Sequence, residues 1–308
     1  MHLSPEIMQS AKKREKQSAR QTGRVGVLFL LPALIMVSLF LLTPVVGNVL
    51  ISMTKWKRFK GLDQFAGAAN YEKLFEVPFF GVALLNTGIW VVSALVLPLA
   101  IGLGLALYLR NMPFQEGFKS LFFLPKVLAP TAVGTIWYYV YAPRGMLNSL
   151  ASSVTGNDVS YGWLFEPMSV TPSLITTFVW GHIGITMVLL LLGLAAIPKD
   201  PIEAARVEGA SNWQVFRHVV WPLLLPTVMV VTILNVAAGF TSFDLIWVMA
   251  GDFPGKRSLS LAVYMYFESF SKNSWAFGAA IAVVLSAMVI TVSWALAVIQ
   301  SRIETRIR

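Results

Sequence analysis

His182 and Lys126 are the side chains whose chemistry sits least easily in its surroundings, because both fall within long apolar segments. An ionisable group at membrane depth is costly and marks either a pathway or a bond between helices. His182 fits both roles equally. Lys126 is the one permanent charge in any of these segments, and its stem is long enough to carry the ammonium to an interface. Asn235 and Ser242 add neutral donors and acceptors. With Gly239 between them they are spaced by four and three, which puts all three on one helical face. Such a face can bind a polyhydroxylated solute or bond a neighbouring helix.

Other chemistries have no residues to carry them. The chain has no cysteine, so thiolate chemistry and disulfides are excluded. His2, His182 and His218 are far apart and suggest no metal site, and neither H-E-x-x-H nor G-x-S-x-G occurs. No Asp or Glu falls inside an apolar segment, which counts against a secondary transporter driven by an ion gradient. Gly255-Lys256 lacks the upstream glycine and the following hydroxyl of a phosphate loop, so ATP chemistry would have to come from a partner.

The elements that must position these groups are membrane helices. The chain has 308 residues, 56% apolar and 13% charged, and a mean hydropathy of +0.68. A span needs about 20 apolar residues. The segments Val25 to Thr54, Val77 to Leu109, Ser120 to Pro143, Pro167 to Pro198, Val219 to Phe243 and Asn273 to Ser301 qualify. Backbone groups in lipid must bond within their own segment, so each reads as a helix, and the class is an all-α polytopic membrane protein with six spans. Pro32, Pro98, Pro125, Pro130 and Pro226 are expected to kink or break their helices. Gly102, Gly104, Gly181, Gly184, Gly239 and Gly278 are expected to let helices approach closely. Lys and Arg favour the side of the basic N-terminus, which places both termini in the cytoplasm. The net charge of +9 is then membrane-surface charge, with no compact basic domain to bind nucleic acid.

Between the fourth and fifth spans lies a polar island. Asp200-Pro201-Ile202-Glu203 has the form of a helix start, with Asp200 as cap and Glu203 at the capping-box position. The helix should run to about Glu208 and stop at a left-handed Gly209. Ser211 and Gln214 repeat the capping-box signal for a second helix leading into Trp221-Pro222. The expected product is a helix–turn–helix. Ala204, Ala205, Val207 and Ala210 would give it a small-residue surface, and Glu203, Arg206 and Glu208 would charge its margin. An amphipathic loop lying on the membrane surface is the other reading.

Glu203-Ala204-Ala205, then Gly209, then Val219-x-Trp221-Pro222 resembles the EAA loop of permease subunits in bacterial ATP-binding-cassette (ABC) importers. Val219 and Trp221 stand where that pattern has Ile and Leu, and the spacing is kept. Phe122-Phe123-Leu124-Pro125 and Phe240-Thr241-Ser242-Phe243-Asp244-Leu245-Ile246-Trp247-Val248-Met249 resemble the carbohydrate permeases of the maltose and glycerol-phosphate type. One departure is Ala250-Gly251-Asp252-Phe253-Pro254-Gly255, where relatives often have Thr-Gly-Gly-Gly-Pro.

The resemblance implies a permease for a sugar or sugar derivative, working by alternating access. It implies a basic tail over 1–24, a membrane domain over 25–301 with a coupling loop at about 199–221, and a tail over 302–308. ATPase docking would fall to Glu203, Ala204, Ala205, Arg206, Glu208 and Gly209. The substrate pathway would use Gly181, His182, Ile185, Asn235, Ala238, Gly239 and Ser242. The implied partners are a second homologous permease, two ATPase subunits that hold ATP and Mg, and an extracytoplasmic binding protein. No cofactor is expected on this chain.

Overall fold

The computed structural model describes residues 29–307, apart from 59–60, 62–63, 167, 251–254 and 256–257. The tail over 1–24 and most of the 250–255 connection lie outside the described residues. Helix α1, Phe29–Ser52, carries a π turn at Ser38–Leu42. The short α2, Ala69–Glu76, leads into the long α3, Pro78–Leu109. Then come α4, Gln115–Val127, α5, Pro130–Val140, and α6, Met146–Thr155. Helix α7 is Val170–Ala195 and α8 is Asp200–Val207. Helix α9, Asn212–Phe240, includes a π turn at Phe216–Val220. Helices α10, Asp244–Ala250, and α11, Leu261–Tyr266, precede α12, Trp275–Ile307. Among the described residues there is no strand; an isolated bridge joins Thr54 and Phe65.

Five helices, α1, α3, α7, α9 and α12, are long and apolar enough to cross a membrane. The segment read as a span over Ser120–Pro143 is broken, as its prolines lead one to expect. Helices α4 and α5 meet at 98° and make a sixth span only as a bent pair. The cause is Pro130. A residue before proline is pushed out of the helical region, and Leu128 and Ala129 are both extended, with ψ of 145° and 141°. Pro98 and Pro226, by contrast, sit inside helices that continue through them.

Small residues set the spacing of the central helices. A Cβ on Gly102 would lie 2.7 Å from Thr186 Cγ2 and one on Gly193 2.6 Å from Thr227 Oγ1, so α3 and α9 press close on α7. Gly239 of α9 meets Ala94 of α3 in the same way, at 2.7 Å. Gly184 backs onto the main chain of Phe122 and Phe123 in α4. Gly104 and Gly181 do not share this role, since nothing lies within 4 Å of a Cβ built on either.

Two apolar clusters fill the bundle. One gathers Trp90, Leu174, Phe178, Ile246 and Ile281, with Trp90 and Phe178 edge to face at 5.4 Å. The other gathers Ala106, Leu190 and Leu224 at the end nearest α8. Helix α1 stands outside both. Its most apolar stretch is 0% buried, and Asn48 reaches α12 through a 3.4 Å bond to the Ala279 carbonyl. Its apolar surface therefore faces lipid or another subunit.

Candidate functional site

The polar island folds into two helices held by their own caps. Helix α8 begins one residue earlier than expected: Lys199 precedes it, Asp200 is already helical, and no side chain caps the start. The Ile202 and Glu203 amides donate to the Lys199 carbonyl, each at 3.0 Å, so backbone replaces the expected Asp200–Glu203 box. The far end is a Schellman stop. The Ala210 amide donates to the Ala205 carbonyl, the Gly209 amide to the Arg206 carbonyl, and Gly209 takes a φ of +85°. The second box forms as the spacing predicts. The Ser211 amide donates to Gln214 Oε1 at 2.8 Å, and the Gln214 amide to Ser211 Oγ at 3.4 Å.

These caps decide which face α8 offers. Ile202, Ala205 and Ala210 pack onto the apolar cluster around Leu190 and Leu224. Ala205 and Ala210 are therefore half-buried, with less surface open to a partner than Ala204 has. Glu203, Ala204, Arg206, Glu208 and Gly209 are exposed, and Val207 is 89% exposed. The outward surface carries two carboxylates, one guanidinium, two small residues and one bare valine.

The bend between α4 and α5 opens a cavity of about 300 Å³. Its walls come from that bend, from α7, and from the junction of α9 and α10. Of the expected pathway residues, Gly181, His182, Ala238 and Ser242 border it. Lys126 and Asp244 border it too. His182 stacks on Phe178 at 4.0 Å, and its Nδ1 lies 2.9 Å from the Phe178 carbonyl. A carbonyl can only accept, so Nδ1 donates and Nε2 is left as the acceptor. Lys126 Nζ lies 3.5 Å from that Nε2. The ammonium thus turns into the cavity.

Three expected pathway residues lie elsewhere. Asn235 is 3% exposed and bonds Thr186 across the α7–α9 contact, donating at 3.2 Å and accepting at 3.4 Å. Gly239 is the seat for Ala94, and Ile185 is half-buried outside the cavity. The shared helical face of Asn235, Gly239 and Ser242 does not exist, because α9 ends at Phe240 and Ser242 lies in the irregular link to α10. An Asn235→Ala, Thr186→Ala double-mutant cycle should give a coupling of about 0.6 kcal/mol, at most about 1.7. Thermal unfolding of the purified protein in detergent measures it, and a coupling near zero would remove this bond from the account. Among the described residues no group of three or more His, Cys, Asp or Glu could hold a metal.

Residues 101–308 match the family of binding-protein-dependent transport system inner membrane components. A probable ABC transporter permease protein of Pyrococcus horikoshii is 34% identical over 268 residues, covering 86% of this chain and 92% of that one. The sulfoquinovosyl glycerol transport system permease protein of Agrobacterium fabrum is 30% identical over 269 residues, 86% of each chain. In fold, the chain matches a bacterial alginate ABC transporter solved with an alginate-bound periplasmic protein. The TM-score is 0.79 at 19% identity, over 93% of this chain and 97% of that one. With its bundle of membrane helices, its close-packed glycines and a capped helical island between its fourth and fifth spans, the chain belongs to this family and is the permease subunit of an ABC importer.

Proposed function

We propose that this permease moves a sugar or sugar derivative from an extracytoplasmic binding protein into the cytoplasm. Two ATPase subunits, holding ATP and Mg, would dock on α8 and drive alternating access. A second, homologous permease would complete the pathway and cover the bare flank of α1. Both termini would lie in the cytoplasm, on the α8 side of an inner membrane.

The observation that carries the docking role is the exposed face of α8, capped at both ends by backbone bonds. Backbone caps hold Glu203, Ala204 and Val207 outward, while Ile202 and Ala205 tie the helix to the bundle core. Movement imposed on that face must pass to α7 and α9. The cavity supports the cargo reading. It combines Lys126, His182, Ser242 and Asp244, which can bond hydroxyls, with Phe243, whose ring offers an apolar surface and stacks on Trp247 at 5.6 Å. In this reading Gly181, His182, Ala238 and Ser242 contact the solute. Asn235, Gly239 and Ile185 hold the helices behind them. The sulfoquinovosyl glycerol permease and the alginate importer named above favour a carbohydrate cargo.

The test is the energy source. In cells, uptake of the sugar that the co-purifying binding protein retains should persist when an uncoupler collapses the proton gradient and ATP is held constant. It should stop when ATP is depleted. Collapse with the uncoupler alone would favour an ion-gradient transporter instead.

A further inference from the structure

A second cavity, of about 340 Å³, lies at the end of the bundle away from α8. Helices α3 and α12 both begin beside it, and α3 ends on the α8 side. Its border carries Lys57 from the connection after α1, Lys73 from α2, Tyr264 from α11, and Glu268 and Lys272 from the turn that follows. Three ammonium groups therefore face one carboxylate.

That carboxylate is already taken. Glu268 is 5% exposed and accepts from Lys272 at 2.5 Å. Lys57 and Lys73 have no acidic partner within ion-pair distance among the described residues. The Lys73 ammonium lies 4.9 Å from the centre of the Phe277 ring. Glu72 and Glu76 are exposed on α2 and do not border the cavity. Tyr264 supplies the independent sign. It is 2% exposed, and its hydroxyl is buried without a hydrogen-bond partner. A buried hydroxyl left unpaired is destabilising, so its retention needs a reason. Burial, with the Glu268 charge beside it, raises the phenol above its ordinary value and keeps it a donor.

We propose that this cavity seats an acidic side chain of the extracytoplasmic binding protein, its carboxylate paired with Lys57 and Lys73 and the Tyr264 hydroxyl serving as third donor. The inference rests on the docking of a binding protein at this end of the bundle, as proposed above. Charge complementarity selects the occupant: three ammonium groups face one carboxylate, and two of them have no acidic partner among the described residues, so the cavity favours an anion over a base. A lipid phosphate has the same charge, and the test separates the two.

The experiment uses the intact complex in nanodiscs of zwitterionic phosphatidylcholine, titrated with the binding protein that co-purifies with it. The Lys57→Glu, Lys73→Glu double variant should raise the dissociation constant about tenfold or more and flatten its salt dependence. Tyr264→Phe should weaken binding severalfold while leaving the Tm of the complex unchanged or higher, since it removes an orphaned hydroxyl. A merely structural tyrosine would lower Tm and leave affinity alone. Unchanged affinity and salt dependence in both variants, with a wild-type complex that does bind, overturns the seat. So does a result in which phosphatidylglycerol raises the wild-type Tm, the double variant loses that rise, and affinity for the binding protein stays constant. A wild-type complex that fails to bind the protein at all overturns the docking reading itself, and the seat with it.

Discussion

Glu203→Lys is expected to strip the ATPase subunits from the purified complex and abolish uptake, while the chain still inserts and folds. The side chain is exposed in the first turn of α8, and the only salt bridges among the described residues, Lys119–Glu116 and Lys272–Glu268, do not include it. Its loss therefore breaks no ion pair of the bundle. Placing a cation in a helix's first turn costs about 0.3–1 kcal/mol, too little to unfold a helix tied down by Ile202 and Ala205. A charge reversed on a docking face is a different matter, because it leaves the partner's group facing a like charge. Association should weaken by at least about tenfold, or ~1.4 kcal/mol. Co-purification ratios and uptake measure the effect. Wild-type values in both would remove Glu203 from the docking face.

Gly184→Ala is expected to destabilise the bundle by about 1–3 kcal/mol, the cost of overpacking a close contact. A methyl there would overlap the Phe122 carbonyl and approach Phe123 Cα to 2.8 Å. Both are main-chain atoms, so no side chain can turn aside, and α4 must shift away from α7. Lys126 stands one turn beyond Phe122, so the same shift would pull it from His182 and deform the cavity. Gly181→Ala is the control. Its methyl would meet nothing within 4 Å, so Tm should hold while the cavity narrows. Equal Tm values for wild type and Gly184→Ala would show that α4 and α7 do not meet as described.

The contrast between these two glycines marks how far the sequence could be read. Both look alike in a list of small residues on one apolar segment, and only the approach of α4 separates them. The spans themselves were legible, because continuous apolar runs leave the backbone no choice but a helix. The capping box at Ser211 and Gln214 was legible because its bonds are local. The box at Asp200 was not, because the Lys199 carbonyl took the amides first. Pro130 announced a break, but not that the break would open a cavity. The orientation of Ala205, the pairing of Asn235 with Thr186, and the turn of Lys126 toward His182 all depend on which helix lies opposite. No spacing within one segment carries that information. Asp244 shows the same limit: it lines the cavity because α10 folds back against α5.

The docking of an ATPase on α8 can be measured most directly by cross-linking. The chain has no cysteine, so Val207→Cys gives one thiol, at a site that is 89% exposed on the proposed face. The variant would be treated in inside-out vesicles with a short bifunctional reagent and the product identified by mass spectrometry. A cross-link to an ATPase subunit, with a yield that changes when ATP is bound, is the predicted result. A thiol that reacts fully with a small label yet forms no cross-link to any ATPase, with and without ATP, would contradict the account.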